Sequence, residues 1–219
     1  MSNFSLEFSL PLSGPARRGK NFFVTLTLDY VKSCLSFEDH AGAPPEGLLP
    51  AAVLAPFFET EGQMSLLFTQ RTMSLRDHQG QISFPGGVQD PGDTDLLATA
   101  LRETEEEIGL QPEAAHILGN LKPVTTVTGY WINPFVALIP HPYDFRLNHQ
   151  EVMHLLEFPV AAFCAPERWS TGSYLHKGQI RQVCCWKYGD TVIWGATARM
   201  LLDLLGRLGE YPLARECET

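Results

Sequence analysis

The hydrophobic positions between residues 94 and 108 recur at the spacing of an α-helix. At about 100° per residue, one stripe contains Leu97, Leu101, Thr104 and Ile108. Asp93 precedes this run in the position of an N-cap, and Gly109 follows it where a C′ glycine belongs. The pattern therefore predicts a helix over 94–108 that buries the apolar stripe.

Short apolar runs separated by turn residues predict strands elsewhere in the chain. These strands are Ala51–Phe58, Met64–Gln70, Gln81–Phe84, Ile117–Leu121, Trp131–Pro140 and Leu155–Phe158. The pattern also predicts a loop over Pro123–Gly129, a short helix over Val160–Cys164, a hairpin of Tyr174–His176 with Ile180–Tyr188, and a last helix over Trp194–Leu208. Strands mixed with two long helices predict an α/β fold in which a mixed β-sheet lies between α-helices.

The beginning of the chain differs from the rest. Residues 1–21 form a polar arm that contains proline, and His40–Pro50 has the proline and glycine content of a linker. Between them, Phe22–Phe37 fits a short helix or a strand, and the sequence leaves both open. We therefore divide the chain into an N-terminal extension, residues 1–45, and a main domain, residues 46–219.

Composition narrows the range of partners. The net charge of −9 argues against nucleic acid, whose binding requires Lys and Arg to neutralise phosphates. No apolar run reaches the length of a membrane span, so we expect no membrane partner. The five cysteines include no C-x-x-C pair, and the chain does not begin like a secretory signal. We therefore expect reduced thiols and a cytoplasmic protein.

Three acidic side chains crowd the end of the helix predicted over 94–108. Glu103, Glu106 and Glu107 share one face, where like charges destabilise a helix by about 0.2 to 0.5 kcal/mol per pair and the macrodipole is already negative. A hard dication, Mg²⁺ or Mn²⁺, would reverse this cost. Arg102 can pair with the cluster and hold it in place. The alternative is an ordinary solvated charged face, and we favour the metal site.

The stretch Arg102–Leu110, RETEEEIGL, resembles the R-E-U-x-E-E-x-G-U end of the Nudix box, the signature of hydrolases that cleave a diphosphate linked to another moiety. The acidic residue usual eight positions before the arginine would fall on Thr94, whereas the acid present is Asp93. The box thus carries one extra loop residue. The resemblance implies the Nudix α/β/α sandwich over about residues 46 to 210 and makes the three glutamates the metal ligands.

The longer stretch Leu66–Gly87 is similar to the element L-L-T-x-R-S-x-x-L-R-x-H-x-G-Q-I-A-F-P-G-G of the coenzyme A pyrophosphatase branch. That branch also has the longer box loop, although it commonly has a basic residue where this chain has Val88. The resemblance implies metal-dependent hydrolysis of coenzyme A or acyl-coenzyme A to 3′,5′-ADP and (acyl-)4′-phosphopantetheine. The expected partner is thus a small-molecule nucleotide diphosphate of the coenzyme A type, and a homodimer stays open.

A carboxylate near the metal could accept the proton of the attacking water. Besides the box glutamates, the candidate is Glu151, because related enzymes often place a glutamate in a loop at this point. The alternative is an ordinary surface glutamate. Glu157 is the second choice, since its position suits the outward face of a strand.

The substrate grip is expected from residues close to the box. The candidates are Arg71, Arg76, His78, Gln81, Gly86 and Gly87. An arginine fork suits phosphate, with a 3′-phosphate as a natural partner, and the two glycines predict a turn that approaches phosphate closely. Alternatively, Arg76 and His78 stiffen their own loop with Asp77, and Gln81 serves the sheet edge.

The role of two aromatic residues stays open. Tyr130 and Trp131 could stack on adenine, although core packing is the preferred interpretation.

Two other functions also stay open. The same chemistry on ADP-ribose, a dinucleotide or a damaged nucleoside triphosphate is the first alternative function. A Nudix-fold module that senses a nucleotide without cleaving it is the second.

Overall fold

The computed structural model describes residues 7–8, 26–38, 44–73, 79–176 and 178–209. Its strands are β1 (Glu7–Phe8), β2 (Leu49–Thr60), β3 (Gln63–Arg71), β4 (Ile82–Ser83), β5 (Gly86–Val88), β6 (His116–Asn120), β7 (Val124–Thr125), β8 (Tyr130–Leu138), β9 (Val152–Pro159), β10 (Trp169–His176), β11 (Gln179–Tyr188) and β12 (Thr191–Trp194). Its α-helices are α1 (Leu28–Cys34), α2 (Leu96–Ile108), α3 (Val160–Phe163) and α4 (Gly195–Arg207).

The strands form two sheets, and β2 lies at the centre of the larger one. That sheet has the order β4-β3-β2-β8-β6, with β5 added to β2, β7 to β8 and β9 to β3. Strands β2 and β8 run parallel, whereas β3 and β5 pair with β2 in the antiparallel sense. The smaller sheet has the order β1-β10-β11-β12. The predicted mixed sheet is thus confirmed.

Both faces of β2 are buried, because its successive side chains point to opposite sides of the sheet. Leu54 and Phe58 pack in one cluster with Ile108 of α2. Val53 and Phe57 belong to the other cluster, which includes Leu201 of α4. The large sheet therefore lies between α2 and α4, in agreement with the predicted sandwich.

The helix alternative is correct for the segment before the linker. Helix α1 begins after Thr27, whose Oγ1 accepts a hydrogen bond from the backbone N–H of Tyr30 at 3.3 Å. Val31 and Leu35 lie in the same buried cluster as α4. The boundary at residue 45 stays a prediction, but this part of the extension contributes to the core of the main domain. Within the predicted arm, β1 pairs with β10.

Most predicted strands differ from the structure by a few residues at their ends, but four short strands, β1 among them, escaped prediction. Strand β7 lies inside the predicted loop, β12 begins after the predicted hairpin and includes the first residue of the predicted last helix, and β5 replaces the turn expected at the two glycines. Strands of two to four residues are too short to show an alternating period. Among the helices in the described ranges, none has the length and apolar character needed to cross a membrane.

Candidate active site

Helix α2 begins at Leu96, two residues later than predicted. Asp95, not Asp93, is the N-cap, and its Oδ1 accepts from the backbone N–H of Ala98 at 2.8 Å. The C-terminal prediction is confirmed: Gly109 has a φ of 73° and donates its N–H to the Glu105 carbonyl at 2.8 Å. Only a residue that tolerates the left-handed region ends a helix this way at low cost.

Asp93 instead holds Arg102. The guanidinium contacts both carboxylate oxygens of Asp93, with Nε and Nη2 each at 2.9 Å, and Thr99 Oγ1 donates to the same carboxylate at 2.9 Å. The hydrogen bonds from Arg102 keep the pKa of Asp93 well below its usual range, and the pKa of Arg102 is raised in return. The extra residue in the loop thus still leaves an acid beside the arginine.

The remaining donors of Arg102 reach two of the three box glutamates. Nη1 lies 2.9 Å from Glu103 Oε1 and 3.2 Å from Glu106 Oε2. The expected pairing of Arg102 with the cluster is therefore present for these two residues. Burial raises the pKa of Glu103, and the hydrogen bond from Arg102 opposes this. The Glu106 side chain is 59% exposed and lies outside the cavity described below.

Glu107 does not lie on an ordinary solvated face, which was the alternative to the metal site. It is 4% exposed, because β5 packs against this side of α2. The backbone N–H of Gly86 donates to Glu107 Oε2 at 3.3 Å, and Arg71 Nη1 lies 3.7 Å from Oε1. Burial nevertheless raises the pKa of Glu107 to about 8, with Arg71 and Gly86 opposing the rise and two neighbouring carboxylates adding to it.

The two glycines of β5 provide space instead of a turn. A Cβ on Gly86, whose φ is 148°, would lie 2.3 Å from the Ala52 carbonyl oxygen. A Cβ on Gly87 would lie 2.4 Å from the carboxylate carbon of Glu103. The missing side chains therefore let β5 approach β2 on one side and the glutamates of α2 on the other.

A cavity of about 670 Å³ brings most of the predicted site together. It is lined by Arg71, Gln81, Gly86, Gly87, Glu103, Glu107 and Glu151. Glu151 lies on the turn before β9, where Asn148 Nδ2 donates to its Oε1 at 3.3 Å. Arg76 and His78 lie outside the described residues. Glu157 lies apart from this cavity and pairs with His141 at 3.4 Å, so the structure does not support it as a base.

The other wall of the cavity escaped prediction. It comes from the loop after β7, from β11 and from the start of α4, and it includes Arg181 and Arg199. No local pattern marks these residues, which follow the box by more than 70 positions. Tyr130 lines the cavity and Trp131 does not; both are half-buried, so neither is the fully packed core residue that we preferred.

The donor set fits a hard dication, although it is not arranged around one. Within the described ranges, no three His, Cys, Asp or Glu side chains converge as metal ligands, because Arg102 pairs with Glu103 and Glu106. Carboxylate oxygens are the ligands that Mg²⁺ prefers, and a cation would offset the desolvation that raises the pKa of Glu107. Binding by all three glutamates requires the exposed Glu106 to turn from Arg102 to the cavity.

Comparisons with known proteins agree with the box motif. The model of the NUDIX domain family matches residues 48–171. A protein of Escherichia coli O6:H1 described as an uncharacterized Nudix hydrolase NudL is 38% identical over 162 residues, which are 74% of this chain and 84% of that protein. A relative of the same description in Shigella boydii serotype 18 has the same identity and coverage.

Solved structures show more distant likeness. An Ap4A hydrolase of Caenorhabditis elegans superposes with a TM-score of 0.45 at 24% identity, covering 51% of this chain and 80% of that one. A MutT/nudix family protein of Enterococcus faecalis superposes with a TM-score of 0.49 at 13% identity, covering 81% and 70%. The assignment depends on the family model, which spans more than half of the chain, and on the Escherichia coli relative. By these two measures, the chain belongs to the Nudix hydrolase family.

Proposed function

We propose that this Nudix hydrolase uses Mg²⁺ or Mn²⁺ to cleave the diphosphate of coenzyme A or an acyl-coenzyme A, giving 3′,5′-ADP and (acyl-)4′-phosphopantetheine. Membership of the family supports pyrophosphohydrolase chemistry on small nucleotide diphosphates and a general need for a divalent metal. Membership of the family does not specify the substrate. The choice of coenzyme A depends on the resemblance of residues 66–87 to the coenzyme A pyrophosphatase branch, because the relative in Escherichia coli is itself uncharacterized.

One observation carries the proposal: the buried carboxylate of Glu107 shares a cavity with Glu103 and Glu151. Carboxylates that repel one another in a poorly solvated place cost stability unless a cation joins them. A diphosphate adds further negative charge, so the cation would have to neutralise the carboxylates of the protein and the diphosphate of the substrate together. This arrangement suits a hydrolase better than a structural ion pair.

Glu103, Glu106 and Glu107 would hold the metal. When bound, it would neutralise charge on the diphosphate oxygens and make the attacking water more acidic. Arg102 is a positioning residue in this scheme, since Asp93 fixes its guanidinium and it in turn contacts Glu103. Gly87 leaves room for the Glu103 carboxylate.

Glu151 would accept the proton of the attacking water. It lines the cavity, and its carboxylate accepts a hydrogen bond from Asn148. Its backbone carbonyl accepts from the N–H of Thr72 at 2.9 Å, which ties the turn to the end of β3. A carboxylate held in this way can act as a general base without contributing to metal binding.

Arg71 would hold the diphosphate. Its Nη1 contacts Glu107, whereas its buried Nε has no acceptor within the described part of the chain. A buried donor without a partner costs about 1 to 3 kcal/mol, and a phosphate oxygen in the cavity would remove that cost. The planar guanidinium can then bridge the substrate and the metal site.

The test is a comparison of substrates with the purified protein. With Mg²⁺ or Mn²⁺, we expect coenzyme A to be cleaved faster than dephospho-coenzyme A and ADP-ribose, and chromatography to show 3′,5′-ADP and 4′-phosphopantetheine as products. Equal rates on all three would contradict the choice of coenzyme A and favour the broader diphosphatase. A protein inert towards the whole panel, dinucleotides and damaged nucleoside triphosphates included, would favour a module that senses nucleotides.

A further inference from the structure

We propose that Arg181 and Arg199 form a second anion subsite, which binds a phosphate monoester on the ribose of the substrate, away from the diphosphate that is cleaved. The inference rests on the proposed function and extends it to substrate selectivity. It assigns that role to residues outside the segment 48–171 that the family model matches. It also moves the recognition of a 3′-phosphate away from the loop after β3, where the sequence had placed it.

Apart from Arg71, the basic residues that line the cavity come from different elements than the acidic ones. Its acidic residues, Asp90, Glu103, Glu107 and Glu151, come from the end of β5, from α2 and from the turn before β9. Its remaining cations apart from Arg71 come from β11 and α4, which belong to the other wall. A ligand that fills the cavity thus meets carboxylates from one set of elements and the guanidinium groups of Arg181 and Arg199 from another.

Arg181 and Arg199 differ from the other arginines at the site, Arg71 and Arg102, which both form ion pairs with carboxylates. Arg71 pairs with Glu107, and Arg102 is occupied by Asp93 and two glutamates. Arg199 instead donates from Nη1 to the Thr125 carbonyl at 3.3 Å, and Arg181 donates from Nη2 to Gln179 Oε1 at 2.7 Å. Neither has a carboxylate partner in the part of the chain that the structure describes. Since each guanidinium has five N–H donors, most of them stay available.

The two arginines are anchored on neighbouring elements. Helix α4 packs on β11, and the hydrogen bond from Arg199 to the Thr125 carbonyl ties α4 to β7, whose Thr125 also lines the cavity. Both side chains are exposed, so they cost little while no ligand is bound. A phosphate monoester, with nearly two negative charges, is the group that two such forks bind best.

The size of the cavity agrees with this division of the ligand. At about 670 Å³, it falls within the range of about 300 to 1,000 Å³ that is usual for small-molecule sites. Half-buried Tyr130 and Ile132 line the same space, and they would face the uncharged part of the nucleoside. The diphosphate would lie at the glutamates and the ribose phosphate at the arginines.

Binding of the nucleotide alone tests the subsite without requiring turnover. By isothermal titration calorimetry with Mg²⁺ present, we expect 3′,5′-ADP to bind the wild type at least about ten-fold more tightly than 5′-AMP, as expected for charge-assisted hydrogen bonds. Titration with 2′,5′-ADP shows which ribose oxygen carries the preferred phosphate. The double variant R181Q/R199Q should lose the preference, whereas Lys122→Gln, which removes one charge at a side chain 72% exposed outside the cavity, should keep it.

Kinetics give the second readout. The ratio of kcat/KM for coenzyme A to that for dephospho-coenzyme A should fall at least about ten-fold in R181Q/R199Q. Equal binding of 3′,5′-ADP, 2′,5′-ADP and 5′-AMP to the wild type would overturn the subsite, and so would an unchanged preference in the double variant. If the preference depends on the arginines while no diphosphate is hydrolysed, the proposed function fails and the subsite stands.

Discussion

Arg71 Nη1 lies 3.7 Å from Oε1 of Glu107, a carboxylate whose side chain is only 5% exposed. This contact joins β3 to α2 at the wall of the cavity, which both residues line. Arg71 lowers the pKa of Glu107, but burial has the larger effect and raises that pKa to about 8. The arginine therefore does not fully compensate the buried charge. In the proposed function, a dication would supply positive charge to Glu107, and a diphosphate would supply negative charge to Arg71.

Glu107→Gln should abolish most activity while leaving the fold intact. The amide keeps the shape and can still accept from Gly86, but it is a far weaker ligand for a hard dication. We expect kcat/KM to fall at least about 10³-fold, with an unchanged circular dichroism spectrum. Glu105→Gln is the matched control, since Glu105 is exposed on the same helix and lies outside the cavity. Normal turnover of Glu107→Gln would refute the role of this carboxylate.

The stability of the metal-free protein should fall as pH rises. The folded pKa of Glu107 is about 8 against an ordinary value of 4.5, so the folded state binds the proton more tightly. This contribution is fully present below pH 4.5 and is lost as pH rises to about 8, and at about 1.4 kcal/mol per pKa unit it amounts to about 4 to 5 kcal/mol.

Urea unfolding in EDTA between pH 5 and 9 measures this loss. The free energy of unfolding of the wild type should decrease relative to that of Glu107→Gln across this range, and Mg²⁺ should restore it at pH 8 by binding the charged form. Parallel pH profiles of the two proteins would show that Glu107 titrates normally.

The two glycines of β5 should respond differently to alanine. In Gly87→Ala the new methyl meets the flexible end of Glu103, so we expect a kcat/KM about 10- to 100-fold lower with a nearly unchanged melting temperature. In Gly86→Ala it meets the backbone of β2 at a positive φ, and we expect a loss of about 2 to 4 kcal/mol in unfolding free energy. Thermal melts and kinetics of both variants decide this. Equal destabilisation would contradict the assigned contact of Gly87 with Glu103.

Glu151→Gln should reduce kcat by about 10² to 10⁴ if this residue is the general base. Metal binding should persist, because Glu151 is not one of the three proposed metal ligands. Glu157→Gln is the control, since Glu157 pairs with His141 away from the cavity. A kcat close to that of the wild type would return the role of base to the glutamates of α2.

Much of the fold was predictable because the long elements have clear local patterns. Strand β2 contains a continuous apolar run. Helix α2 has apolar positions at helical spacing and ends at Gly109, which adopts the left-handed conformation. The N-cap was missed because Asp93 and Asp95 both suit the spacing. Only the folded chain shows that Arg102 draws Asp93 away, since that contact depends on the return of the loop.

The site was predictable where chemistry is local and not where distant segments meet. Arg71, Glu103 and Glu107 lie within 37 residues of one another in the sequence, and all three line the cavity. The burial of Glu107 could not be predicted from the sequence, because a helical projection assumes one packed side and β5 packs against a second side of α2. Arg181 and Arg199 reach the cavity through a separate hairpin and the last helix, and no spacing within either segment points to a ligand.

Binding of Mn²⁺ to the intact protein, followed by electron paramagnetic resonance, tests the central claim most directly. We expect one or more sites in the wild type whose affinity falls at least about ten-fold in each of Glu103→Gln, Glu106→Gln and Glu107→Gln, and stays unchanged in Glu105→Gln. If the triple variant E103Q/E106Q/E107Q binds Mn²⁺ as tightly as the wild type does, the three glutamates do not hold the metal.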